Sequence, residues 1–385
     1  MDVWKNFLII KAVLLGARRD AWGTATRRFI LMTMKKIKTV LMGLGTVNLG
    51  LLRILKAKAT QIANDHGVSF IIVGVADSSG AAVNATGFEY EELLELKRLK
   101  KQVKELKGYL PKVLAETISE YVHADLLIES SAANLSTGGA GLTIARAALK
   151  KGWSVVFANK APLIFAYDEL HQLANTHGGN LAFSATVCGG LPVINILQRD
   201  LKMSTLRRFR GILNATTNYI LNELENGRSP AEAIKEAQRL GAAEADPTHD
   251  VHGHDSANKL FIIMKSFTNF TGTISDITVE GIQHLEVSEI LQAKVEGKKI
   301  KLLAVAESER GQWKLSVKPV SVPSDSFLGT CNGWEMGVEL KTDLYESIAM
   351  KNYEADPIGT SAAVLRDAID VCERDAYRSG RPNKN

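Results

Sequence analysis

Cysteine is scarce in this 385-residue sequence: Cys188, Cys331 and Cys372 are odd in number and far apart. That implies neither a disulfide framework nor a zinc pattern, and it fits a reducing compartment, the cytoplasm. Long apolar runs are also missing. The N-terminal run F-L-I-I-K-A-V-L-L-G at 7–16 is interrupted by Lys11. At about 1.5 Å per residue it is too short to cross a bilayer, and no transmembrane helix is read elsewhere. A large charge surplus is lacking too. The chain has 47 basic and 42 acidic residues, and 1–33 alone hold six basic against two acidic. The remainder of the chain is nearly balanced, so the basic pI does not describe a nucleic-acid-binding face. Internal repeats and linker-like stretches are absent.

What is present is a chain 45% hydrophobic, enough for real cores, and long enough for an α/β domain with a sizeable second part. Residues 1–33 are open to three readings. They are upstream of a natural start at Met34, or a transit-type peptide, or an interfacial helix. M-K-K-I-K-T-V from Met34 is a natural entry into a strand and favours the first.

A short β-branched run at 37–42 leads into G-L-G-T-V-N-L-G at 43–50 and then an amphipathic stretch, 51–63. Strand, glycine turn and helix form the context that gives a dinucleotide-binding match its meaning. Gly43 permits the tight turn, and Gly45 lets backbone approach a pyrophosphate at the helix N-terminus. Asn48 stands where a third glycine is usual. Residues 70–76 read as a second strand ending at Asp77. That acid either accepts from an adenosine ribose or caps the turn D-S-S-G, so NAD against NADP stays open. A third strand, 125–129, runs into Ser130 and Ser131, and a fourth, 154–158, into Asn159 and Lys160. In open α/β sheets these strand ends face the ligand. The alternation predicts a doubly wound parallel sheet.

After T-V-C-G-G-L-P at 186–192 the pattern changes. A strand at 209–213 runs into N-A-T-T-N-Y at 214–219, whose hydroxyls and amides suit a small polar ligand or a helix cap. Ser229-Pro230 reads as N-cap and N1 of a helix ending near Gly241. Residues 299–308 and 312–322 read as a hairpin around E-R-G, with a further strand at 347–354 and a last helix at 361–374. The densest stretch is E-A-D-P-T-H-D-V-H-G-H-D-S-A-N-K at 244–259. Asp255 and Lys259 are four apart and share a helix face. They are either an ordinary exposed pair or a polar cluster opening a buried helix. His249, His252 and His254 raise a metal site as a further alternative.

Together these segments resemble homoserine dehydrogenase, from about residue 34 to 374. The resemblance rests on the glycine loop, A-N-K at 158–160, A-T-V-C-G-G-L-P at 185–192 and G-I-L-N-A-T-T-N-Y-I-L at 211–221. It rests also on A-A-E-A-D-P…D…G-H-D-S-A-N-K-L at 242–260 and G-T-S-A-A-V-L-R-D at 359–367. It implies NAD(P)-dependent interconversion of L-homoserine and L-aspartate 4-semialdehyde, in threonine, methionine and isoleucine biosynthesis. It implies a Rossmann domain (34–183 and 356–376), an α+β catalytic and dimerisation domain with a mixed sheet (184–355), and a homodimer. Residues 377–385 read as a flexible tail, and no threonine feedback through an appended regulatory domain is expected. Carried over onto matching positions, Lys259 is the catalytic lysine with Asp255. Glu244, Lys160, Thr216 and Tyr219 would bind substrate. Gly43, Gly45, Thr46, Val47, Asp77, Ser131, Lys160 and Gly359 would bind cofactor. Backbone oxygens of Ser184, Val187, Gly189 and Leu191 would hold sodium. Ser184 stands where the family often has glutamate, and Asn48 and Ala215 replace usual glycines.

The chemistry also follows from the residues. Hydride transfer to an aldehyde leaves an oxygen that needs a proton, and Lys259 could supply it if burial or Lys160 lowers its pKa toward neutrality. A carboxylate such as Glu244 suits the substrate's ammonium. Two other classes compete: a metal-dependent hydrolase using His249, His252 and His254, and a non-catalytic nucleotide-sensing protein.

Overall fold

The computed structural model describes residues 34–240 and 246–378. The N-terminal extension, Glu244 and the tail from 379 lie outside the described residues.

The first half builds one seven-stranded sheet. Strand β1 (Lys35–Met42) ends at the glycine turn and helix α1 (Thr46–His66) follows. Next come β2 (Val68–Asp77), β3 (Gly80–Phe88), α2 (Tyr90–Arg98) and the short β4 (Tyr109–Leu110). Then β5 (Leu126–Glu129), α3 (Gly139–Lys150), β6 (Ser154–Phe157), α4 (Ala161–His177) and β7 (Leu181–Ala182) alternate. The order is β4-β3-β2-β1-β5-β6-β7. Strands β2, β1, β5, β6 and β7 are parallel, with β5 and β6 buried along their whole length, as sheets covered on both faces require. The expected doubly wound parallel sheet is present, with an antiparallel extension at one edge. β3 returns antiparallel on β2, and β4 on β3. The connection from Asp77 to Gly80 is too short for a crossover helix, so only a hairpin return is open to it.

The second half is a six-stranded mixed sheet carrying helices. Strand β8 (Leu206–Ile212) leads into α5 (Ala215–Glu225) and α6 (Pro230–Arg239). Ser229 caps α6 by accepting from the Glu232 N–H, with Pro230 at the first position. Helix α7 (His254–Phe267) starts at Gly253, held at φ +80°, and buries the run from Leu260 to Met264. Strand β9 (Ile277–Val279) and α8 (Val287–Val295) precede a long hairpin, β10 (Lys298–Glu309) and β11 (Gln312–Pro323). Its two-residue turn, Arg310 and Gly311, has both φ angles positive, as right-twisted hairpins favour. Strands β12 (Glu335–Thr342) and β13 (Ile348–Tyr353) complete the order β13-β12-β8-β10-β11-β9.

The last helix, α9 (Ile358–Arg378), returns to the first half. Ser361 Oγ donates to the Val47 carbonyl at 2.9 Å. A Cβ on Gly50 would clash with that Oγ, so the close packing usually served by a third loop glycine has moved to Gly50. Asn48 takes a different part: it is buried, and its amide donates to the Gly43 carbonyl at 2.6 Å, closing the turn.

Candidate active site

Two strand ends and one helix start meet between the halves. Lys160 follows β6, Leu213 and Asn214 follow β8, and Asp255 and Lys259 lie in the first turns of α7. Asp255 Oδ1 is 2.8 Å from Lys160 Nζ, and its Oδ2 is 2.7 Å from Lys259 Nζ. Lys259 also donates to the Leu213 carbonyl at 2.7 Å. Asn214 caps α5 by accepting from the Thr217 N–H, while its amide donates to Asp255 at 2.8 Å and to Asp250 at 2.6 Å. The Cys188 thiol, buried and at φ +55°, donates toward the same Leu213 carbonyl. The Asp255–Lys259 pair is therefore part of an enclosed cluster, not a surface pair.

The electrostatics reverse one expectation. Burial pulls the Lys259 ammonium down, but Asp255 and then Cys188 outweigh it and push it up to about 12. The expected lowering toward neutrality does not occur in this structure, because Lys160 and Lys259 take opposite oxygens of one carboxylate. Burial pushes Asp255 up, yet the two lysines hold it well below the usual carboxylate range. Asp250 has no such pair and is raised, by burial first and by Asp255 second.

Along the strand ends runs a cavity of about 700 Å³, lined by Gly43, Gly45, Asp77, Lys97, Ser130 and Ser131 among others. Gly43, at φ +84°, lies so near Ser130 that a Cβ would stand 2.7 Å from its carbonyl oxygen. At Gly45 a Cβ would meet nothing, leaving backbone open to an approaching group. No side chain caps α1, which starts at Thr46 and Val47, and its first turn holds no acid. This is a fitting cradle for a pyrophosphate. Asp77 fulfils the turn-capping reading, accepting from Ser79 N and Oγ at 2.9 and 2.6 Å. It also pairs with Lys97 at 2.7 Å and still lines the cavity. Burial would raise it, but Lys97 and Ser79 lower it overall.

Other expected residues fall elsewhere. Thr216 is buried in the first turn of α5. Tyr219 stacks flat on Trp334 at 4.0 Å, and the charges acting on it are Glu223, Glu236, Arg228 and Arg239. No contact among the described residues joins it to Lys259 or Asp255. Gly359 packs where α9 begins, against Gly190 rather than on the cavity wall. In the 184–191 loop the Ser184 and Leu191 carbonyls already accept from Val187 and Val193. The Ser184 hydroxyl donates to Asp367 at 2.6 Å. The loop offers backbone oxygens, the donor type that sodium takes. His249 and His252 each stand 6.2 Å from His254, ring to ring. Among the described residues no group of three or more His, Cys, Asp and Glu is arranged to hold a metal. Sequence reasoning does not single out Asn214, Asp250 or Cys188, although each lies inside a motif that carries the resemblance.

A dinucleotide cradle beside a lysine–carboxylate cluster defines an NAD(P)-dependent oxidoreductase. The family model described as homoserine dehydrogenase, NAD binding domain, matches residues 43–184, and the homoserine dehydrogenase model matches 192–369. A homoserine dehydrogenase of Methanocaldococcus jannaschii is 33% identical over 336 residues, 86% of this chain and 97% of that one. An NAD(+)-dependent homoserine dehydrogenase of Pseudomonas canavaninivorans is 31% identical, covering 88% and 97%. A hyperthermophilic archaeal homoserine dehydrogenase, solved with NADPH, superposes with a TM-score of 0.75 at 25% identity, covering 88% and 98%. The chain belongs to the homoserine dehydrogenase family. A purely nucleotide-sensing role is thereby set aside. Among the described residues no helix is long and apolar enough to cross a membrane.

Proposed function

We propose that Lys259 carries the proton in the interconversion of L-homoserine and L-aspartate 4-semialdehyde, with Asp255 fixing it. The observation that carries this reading is the Lys160–Asp255–Lys259 bridge, with Lys160 next to Asn159, whose amide reaches the cavity-lining Ser131. The nicotinamide supplies or takes the hydride when bound. Gly43, Gly45, Thr46, Val47 and Ser131 would hold the cofactor, with Asp77 at its ribose end. As an ammonium, Lys259 donates its proton to the aldehyde oxygen as the alcohol forms; in the reverse direction it takes the hydroxyl proton back. Asp255 keeps the amine aimed and charged through 2.7 Å of contact. Lys160 and Thr216 suit the substrate's α-carboxylate, and Glu244 its ammonium. Asp250, tied to the cluster through Asn214, is a second candidate for that ammonium.

Lys259→Ala should lower kcat by about 10²–10⁴ while NADPH and NADH still bind, read by nucleotide fluorescence. Near-normal turnover at neutral pH would sink the assignment. Running the same assay with each nucleotide decides the preference.

Sodium held by the carbonyls of Ser184, Val187, Gly189 and Leu191 would brace that loop and take no part in the proton step; sodium titration of activity tests it. We place 356–376 with 34–183 as one nucleotide domain, because α9 packs on α1. A homodimer is supported by β13, which among the described residues pairs with β12 alone and carries exposed Tyr353. Light scattering decides it. The scarcity of cysteine, three residues far apart in sequence and all buried, supports a cytoplasmic location.

A further inference from the structure

Glu129 is the last residue of β5 and is fully buried. Its side chain and backbone hold both loops that flank the cradle. One carboxyl oxygen, Oε1, accepts from the Ser131 N–H at 3.0 Å and from the Ser131 hydroxyl. The Asn159 side chain also bonds the carboxyl. The backbone carbonyl of Glu129 accepts from Ala158 at 2.8 Å and from Asn159 at 3.3 Å. Asn159 Oδ1 in turn accepts from the Ala161 N–H at 3.0 Å, fixing the start of α4 next to Lys160. Helix α3 makes room for this arrangement with a glycine. A Cβ on Gly141 would lie 2.8 Å from the Glu129 carboxyl carbon. The second oxygen, Oε2, is buried and has no partner among the described residues.

We infer that Glu129 is a positioning residue of the cofactor site: its carboxyl group, working as a neutral acid, sets Ser131 against the cofactor and Lys160 against Asp255. An ionised carboxylate with one oxygen unpartnered in a dry site is strongly disfavoured. Burial pushes the acid up to about 7 against the bonds from Ser131 and Asn159. The elements on its face of the sheet are β1, β6, α3 and the two strand-end loops, while α9 packs on the opposite face of β5, in the core that holds Leu126 and Ile128. Those on its own face present Met42, Phe157, Gly141, Ser131 and Asn159, none of them charged. The charged residue that follows Asn159, Lys160, is already paired with Asp255. Ionisation of Glu129 therefore adds an uncompensated negative charge beside a site for an anionic nucleotide.

The inference rests on the cofactor reading of Ser131 above. NADH and NADPH are titrated by fluorescence between pH 6 and 8.5 with wild type, Glu129→Gln and Glu129→Ala. Wild-type affinity should fall as pH rises through about 7. Glu129→Gln, neutral throughout, should remove that dependence. Glu129→Ala, which lets Ser131 go, should weaken binding by about tenfold and raise cofactor KM more than it lowers kcat. If Glu129→Ala does not fold, the glutamine variant alone decides. A glutamine variant with the wild-type pH dependence overturns the inference, as does an alanine variant with wild-type affinity. A wild type inactive on L-homoserine would instead sink the functional reading beneath it.

Discussion

Two buried carboxyl groups stand on either side of the crevice and are driven in opposite directions. Asp255 is held ionised by two lysines, one on each oxygen. Glu129 has only neutral donors on one oxygen and none on the other, and is pushed toward the neutral acid. Burial opposes charge at both. What separates them is whether a cation comes within hydrogen-bond reach. On the roles proposed above, one group would serve proton transfer by staying charged, and the other architecture by losing its charge.

The comparison breaks most severely at Asp255. Asp255→Asn leaves Lys160 and Lys259 without their shared anion. Turnover should fall by about 10²–10⁴, and urea unfolding should show a loss of about 3–5 kcal/mol, as when one partner of a buried pair is removed. The pH profile should change as well. Lys259 is raised to about 12, so in aldehyde reduction the wild type should keep its proton donor through alkaline pH. Without Asp255 the ammonium loses its first support, and a fall in rate with rising pH should enter the measured range. An unchanged alkaline limb would detach Asp255 from Lys259.

At Glu129 the effect is smaller and runs in the opposite sense to that of a paired acid. The folded group titrates near 7 against an ordinary 4.5, so folding favours its protonated form. Its contribution is fully present below about 4.5 and is lost as pH rises through about 7. Glu129→Gln should therefore flatten the decline in melting temperature between pH 5 and 8. A parallel decline in both proteins would remove Glu129 as its cause. Smaller again is Gly50→Ala, where a methyl meets Ser361. It should cost about 1–3 kcal/mol in chemical unfolding, with cofactor affinity less affected than stability. Smallest is Lys97→Ala at the partly exposed Asp77 pair, about 0–1 kcal/mol by thermal melting.

Much of the crevice was legible because it is written in local motifs. The glycine turn after β1, Lys160 after β6, and Asp255 with Lys259 on one helix face need only periodicity and strand-end logic. The polarity of Lys259 was not legible. Spacing shows that Asp255 reaches it, but not that Lys160, 95 positions earlier, takes the other oxygen and so cannot act as an unpaired like charge. Asn214 hid for a similar reason, since a cap and a double carboxylate donor use the same side chain in the same rotamer. In the fold, β3 escaped because G-A-A-V-N-A-T-G-F has no apolar run. β12 does alternate, burying Met336, Val338 and Leu340, and its signal was present but broken by Gly337. The stacking of Tyr219 was not legible because a motif gives sequence neighbours, whereas its partner Trp334 lies 115 residues on.

The returning helix α9 has a consequence for how the chain folds during synthesis. Ala363, Val364, Leu365, Ala368, Ile369, Val371 and Cys372 belong to the same core as α1 and β1. These residues leave the ribosome after nearly all the rest. Until they do, the nucleotide half keeps an apolar wall uncovered, although its strands were made first. Its completion must wait for α9 to be made, and the second sheet between β8 and β13 has the opportunity to close before it. A chain stalled shortly before residue 358 should thus bind chaperones through its first half rather than its second.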